Sequence, residues 1–259
     1  MNQRISQTMN QIIHYEVVDE IGIFTIDNGK QNVMSTSMYE PFYRNLCAFL
    51  DNPEVKVGIL RGSQGRSFCA GDDIKSLERP ADLDPDYPAM ILGLNRNKPI
   101  IGAVKGWCLG QGLVQLLTLT DIRVATEDAK FGFPEIQFGM GGAGGATRLG
   151  YQIPHTLAMY LLLTGDYYSA QQARDAFMIN EIVDDDELFP RAMEIARRIA
   201  RHPLTGITME MELYQVGMDM QREERNNLLR SLYKEHRTAF EKASGGRKPV
   251  EFKPLEQAK

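Results

Sequence analysis

Glycine is spread unevenly along this 259-residue chain, and that unevenness constrains the fold more than any other feature. Of 23 glycines, 11 fall between Gly102 and Gly150. Glycine serves where backbone turns with positive φ or where another group must approach the main chain closely. The cluster therefore marks tight turns and close contacts, and around it strand and helix patterns alternate. Tyr15–Val18 and Ile21–Asp27 alternate apolar and polar residues about Asp19 and Glu20, which predicts a hairpin. Thr36–Leu50 places Phe42, Leu46, Phe49 and Leu50 at helical spacing behind Ser35 or Thr36 as a cap. Val55–Arg61, Pro99–Val104 and Asp121–Ala125 read as strands, and Leu113–Leu119 as an apolar helix. Asp72–Leu77 reads as a helix start with acids in its first turn. Ala81–Pro88, with three Asp and two Pro, is expected to be the most mobile segment. From Pro154 onward the pattern is helical over Ser169–Phe177, Glu187–His202, Leu204–Met220 and Glu223–Ala243, with one short strand at Ile179–Val183. This order predicts an α/β core over residues 1–200 and a helical region over 201–259.

Composition narrows the function classes. Lys and Arg number 29 against 34 acids, a net charge of −5. That balance disfavours a nucleic-acid partner, which needs a basic excess. No apolar run approaches the roughly 18 residues that span a bilayer. The polar stretch Met1–Gln11 has no apolar signal core, so a cytoplasmic protein is expected. Three cysteines are too scattered for a disulfide framework, and four dispersed histidines give no metal site. Gly139–Gly144 matches G-x-G-x-x-G, but it lies mid-chain rather than after the first strand, so nicotinamide binding is not expected.

Three segments share one design of strand, small residues, then helix start: Ser67–Lys75, Val104–Gly112, and Phe131–Ile136 followed by Gly142–Gly145. The first amides of a helix have no internal partner and carry the positive end of its dipole. Small residues let a ligand oxygen reach them, and two such amides facing one point form an oxyanion hole.

In order and without large gaps, these segments resemble the crotonase, or enoyl-CoA hydratase/isomerase, superfamily. Phe68-Cys69-Ala70-Gly71-Asp72-Asp73-Ile74 is similar to F-x-A-G-x-D-[IL]. Lys105–Gly112 is similar to N-G-x-x-x-G-G-G, and Phe131-Gly132-Phe133-Pro134-Glu135 with Gly142–Gly145 to F-G-x-P-E…G-x-G-G. Leu163-Thr164-Gly165-Asp166 with Ala170 and Ala173 resembles L-T-G-x-x-[ILF]-x-A-x-x-A. The resemblance implies a spiral of ββα units with a helical C-terminal trimerisation region, a homotrimer or dimer of trimers. It also implies an acyl-CoA thioester substrate, with coenzyme A as part of that substrate and no further cofactor.

The resemblance further implies that the thioester oxygen is held by the N–H of Asp72 and by a second N–H at the apolar helix. Counting from the glycine turn places that donor on Gln111; counting back from Asp121 places it on Gly112, which is preferred because the loop should absorb the one-residue insertion. Ala70 and Asp72–Lys75, including Asp73, Ile74 and Lys75, would seat the coenzyme A chain. Glu135 stands at the family's second glutamate position as the acid/base. The first glutamate position falls on Gln115, or on Val114 in the other register, and neither is a base. One carboxylate suffices to move a proton from C2 to C4, so double-bond isomerisation of an enoyl-CoA is the expected reaction. A hydratase with Gln115 orienting water and a non-catalytic acyl-CoA-binding homologue are the alternatives.

Overall fold

The computed structural model describes residues 13–73, 84–141, 145–218 and 220–243. Main-chain contacts divide the chain into two compact units, Met1–His202 and Pro203–Lys259. The first unit opens with the hairpin β1 (Ile13–Val18) and β2 (Ile21–Ile26), followed by α1 (Thr36–Asp51), β3 (Val57–Gly62) and α2 (Tyr87–Leu92). It continues through β4 (Ile100–Val104), β5 (Trp107–Leu109), α3 (Gln111–Leu119), β6 (Ile122–Thr126) and β7 (Lys130–Gly132). Then come α4 (Gly145–Gln152), α5 (His155–Thr164), β8 (Tyr167–Ser169), α6 (Ala170–Asp175), β9 (Glu181–Val183) and α7 (Leu188–Ala200). The second unit holds α8 (Leu204–Met218) and α9 (Arg222–Ala243).

The strands form a six-stranded sheet in the order β1-β2-β3-β4-β6-β9 and a three-stranded sheet in the order β5-β7-β8. Only the β1–β2 pair of the large sheet is antiparallel. Successive strands alternate between the sheets: β4 joins the large one and β5 the small one, β6 the large and β7 the small. With α3 after β5 and α4 after β7, this is the expected ββα repeat. The three strands of the small sheet are three residues each, too short for a period-2 signal to register in sequence.

Alternation along β2, β3 and β4 sorts the core into two layers, as a two-faced sheet requires. Ile21, Ile23, Val57, Ile59, Ile101 and Ala103 pack on Ala192, Met193, Ala196 and Ala200 of α7. Phe24, Leu60 and Val104 face the other way, with Phe42, Leu46 and Phe49 of α1 and Leu113 and Leu116 of α3. Gly22 and Gly58 are register partners. A Cβ on Gly22 would lie 3.0 Å from the Phe49 ring and one on Gly102 would lie 2.6 Å from Leu116. These glycines let α1 and α3 lie close to the sheet.

Buried cations close the C-terminal ends of these helices, where unpaired carbonyls carry partial negative charge. Lys98, 2% exposed, donates to the Phe49 and Asn52 carbonyls at the end of α1 (2.9 and 2.6 Å). Arg96 donates to the Thr118 carbonyl (3.2 Å) and grips Asp121 with two bonds of 2.8 and 2.9 Å. Arg123 donates to the Thr120 carbonyl (2.9 Å), and burial lowers its pKa to about 10.

Two local expectations change. Asp72 does not begin a helix; it forms a parallel bridge with Met34, because Met34 offers both an amide and a carbonyl to the passing chain, and residues 74–77 lie outside those described. Part of the segment expected to be mobile is ordered: Asp86 caps α2, accepting from the Ala89 N–H at 3.1 Å. No helix among the described residues is long and apolar enough to cross a membrane.

Candidate active site

Backbone pairing brings the first two sequence segments side by side. The amides of Phe68 and Cys69 donate to the carbonyls of Lys105 and Trp107 (2.8 and 2.9 Å), and the Leu109 amide returns to the Cys69 carbonyl (3.0 Å). On the far side, the Ala70 amide donates to Gln31, Met34 to Gly71 and Asp73 to Met34 (3.0, 2.8 and 2.7 Å). In such a parallel bridge the residue between the two bonded groups turns its own N–H away from the partner strand. Asp72 is that residue, and its N–H has no backbone partner among the described residues.

Helix α3 begins beside this point. Gly110 is its N-cap, with φ 51° and ψ −124°, and gives no side-chain cap. Val114 is the first residue to close a helical bond, to the Gly110 carbonyl at 2.9 Å. The N–H groups of Gln111, Gly112 and Leu113 therefore form the unpaired helix start. A capping oxygen normally sits on the second or third of these, and Gly112 is the second. Contact with the neighbouring segment is close. A Cβ on Gly112 would lie 2.3 Å from the Cys69 carbonyl oxygen, and one on Gly71 would lie 3.8 Å from the Gln111 nitrogen.

The third segment delivers Glu135. Pro134–Phe138 is a single 3-10 turn closed by Gly139 at φ 74°. It is docked on the end of α5, where Gln137 donates to the Gly165 carbonyl at 3.0 Å. Its placement puts the Glu135 carboxylate on the bare face of Gly110: a Cβ there would lie 2.3 Å from Oε1. Oε2 is buried with no hydrogen-bond partner among the described residues. Burial is the main reason the Glu135 pKa is raised above its ordinary 4.5, and the nearby Asp72 charge adds to it. The site thus holds two carboxylates that sense each other.

Asp72, Gly112, Gln111, Glu135, Ala70 and Asp73 come together around the start of α3. Gln115 stands one turn into that helix, fully buried, with both carboxamide atoms unpartnered among the described residues. Ile74 and Lys75 lie outside the described residues. One residue at the site carries no sequence signal. Tyr39, on the first turns of α1 and only 5% exposed, donates its hydroxyl to Asp72 Oδ1. In sequence Tyr39 reads as one more core aromatic, and only its partner distinguishes it. No group of three or more His, Cys, Asp or Glu among the described residues is arranged to hold a metal ion.

The model of the enoyl-CoA hydratase/isomerase family matches residues 16–250. The chain belongs to that family. Among relatives of this enoyl-CoA hydratase/isomerase family member, carnitinyl-CoA dehydratase of Proteus mirabilis is 29% identical over 229 residues, covering 86% of this chain and 87% of the relative. Enoyl-CoA hydratase EchA19 of Mycobacterium tuberculosis is 36% identical over 180 residues, covering 66% of this chain and 67% of the relative. The crystal structure of an enoyl-CoA hydratase subunit from Geobacillus kaustophilus superimposes with a TM-score of 0.81 at 28% identity, covering 93% of this chain and 98% of that one. The fold is that of the crotonases, and the protein is an acyl-CoA enzyme of the hydratase/isomerase type.

Proposed function

We propose that this enzyme moves the double bond of an enoyl-CoA, converting a 3-enoyl-CoA to the 2-enoyl isomer. The N–H groups of Asp72 and Gly112 hold the thioester oxygen, with that of Gln111 beside them. Their task is to stabilise the negative charge that forms on this oxygen when C2 loses its proton; one such donor typically lowers the barrier by about 3–4 kcal/mol. Glu135 takes the C2 proton and returns it at C4 as the double bond shifts from C3–C4 to C2–C3. A carboxylate in a dry pocket is a stronger base than one in water, because burial disfavours its charged form.

The observation that carries this reading is the pairing of a buried Glu135 oxygen, without a hydrogen-bond partner among the described residues, with a helix α3 that supplies Gln115 rather than a second base. Hydration requires a group that accepts a proton from water, and a carboxamide does not. Hydration is nonetheless the second reading, supported by the names of the two relatives and by the unpartnered Gln115 carboxamide, which is suited to orienting a water. A protein that binds acyl-CoA without turnover is the third. Incubation with a 3-enoyl-CoA and, separately, a 2-enoyl-CoA tests all three. Appearance of the 2-enoyl form supports the isomerase, formation of 3-hydroxyacyl-CoA replaces it with the hydratase, and binding without change of either removes both. In the isomerase, kcat/KM should fall as pH drops through the raised Glu135 pKa, because the base works only when ionised. The acid limb should lie above pH 4.5, Glu135's ordinary value. A limb at or below that value would contradict the buried base.

Gly110→Ala should disturb the site at its hinge. A side chain at φ 51° and ψ −124° costs about 1–3 kcal/mol of strain, and the new methyl must displace the Glu135 carboxylate. A shift of about 1 Å in a reacting group can cost 10²-fold in rate. Steady-state kinetics should show a loss of about that size, and unaltered kinetics would show that Glu135 does not act from this position. The family likeness also supports a homotrimer or dimer of trimers as the working form.

A further inference from the structure

Asp72 presents a problem that the proposed reaction does not solve. Its N–H has no backbone partner among the described residues, yet its side chain is an anion attached to the same residue. The unpaired amides of Gln111, Gly112 and Leu113 are close by, since Gly71 packs against Leu109 and Gln111. A carboxylate within reach of a helix start is drawn to it, both as a hydrogen-bond acceptor and by the dipole. Left alone, the Asp72 side chain would cap α3 and occupy the place of the thioester oxygen.

Tyr39 prevents this by position. It is rooted in the core side of α1 and almost wholly buried, so its ring cannot move far. Its hydroxyl donates to Asp72 Oδ1, which commits that carboxylate oxygen to a donor on α1. Asp72 is thereby anchored by a neutral donor rooted in α1 rather than in α3.

We propose that Tyr39 is a positioning residue for thioester recognition: its phenol holds the Asp72 carboxylate off the main-chain donors that Asp72 itself helps to form. This rests on the reading of those donors as the thioester-oxygen site. An enzyme whose donors are blocked part of the time binds with an affinity reduced by the open fraction. The blockage concerns only the carbonyl oxygen, so it should not touch the rest of the coenzyme.

The test is the dissociation constant for butyryl-CoA and for free coenzyme A, measured by titration calorimetry on the full chain. Tyr39→Phe keeps the ring and removes one oxygen. It should weaken butyryl-CoA about tenfold while changing coenzyme A affinity by less than about twofold. Adding Asp72→Ala to Tyr39→Phe removes the competing anion but keeps the Asp72-position N–H, and should recover most of the lost butyryl-CoA affinity. Equal weakening of both ligands, no weakening, or failure of the double variant to recover would overturn the proposal. A wild-type protein that binds butyryl-CoA no better than coenzyme A would instead overturn the reading of the donors, and this inference with it.

Discussion

Glu135→Gln should lower enoyl-CoA turnover by about 10²–10⁴-fold, the range that one positioned acid/base contributes. The substitution keeps the shape of the side chain and removes its basicity. Its surroundings favour a neutral group, since Oε2 is buried without a partner among the described residues and burial already opposes the charge. The variant should therefore fold at least as well as the parent, and acyl-CoA affinity should stay within a few-fold because binding uses main-chain donors. Kinetics and calorimetry on the same preparation separate the two effects. Turnover retained to within threefold of the parent would remove Glu135 from the mechanism.

Asp121→Ala should have the largest effect on stability, about 2–3 kcal/mol: Asp121 itself is partly exposed, but its loss strands the buried Arg96 guanidinium. Arg96 is only 4% exposed and both of its Asp121 bonds would go. Asp121 also accepts the Ile100 N–H at 2.8 Å, so the start of β4 loses an anchor as well. Urea denaturation should show the midpoint falling with little change in slope. Adding Arg96→Met should recover part of the loss, because the stranded charge is then gone. A single-variant loss below about 1 kcal/mol would mean that Arg96 finds water or another acceptor.

Much of the fold was legible because its signals are local. The hairpin about Asp19 and Glu20 and the long helices carry a period of 2 or 3.6, and β3, β4 and β6 are short, almost continuously buried apolar runs. The small sheet was not legible, since Trp107–Leu109, Lys130–Gly132 and Tyr167–Ser169 hold only three residues each. Helix α3 runs from Gln111, two residues before the apolar run Leu113–Leu119 that marks it in the sequence, because Gly110 takes the strained dihedrals ahead of it. Glu135, Asp72 and Gly112 were named as candidates through the family resemblance of the segments that carry them. Tyr39 was not, because nothing in its neighbourhood sets it apart from Phe42 or Phe49.

What the order of residues determines by itself is which groups are available: one glutamate without a companion on the apolar helix, and glycines wherever two backbones must touch. These are local properties, written in residue type and spacing. What the tertiary structure alone decides is which groups meet. The carboxylate of Glu135 rests on Gly110, 25 positions earlier, and the phenol of Tyr39 reaches Asp72, 33 positions later. Contacts of that kind depend on how sheets and helices stack, and stacking is set by the whole core at once rather than by any stretch of sequence.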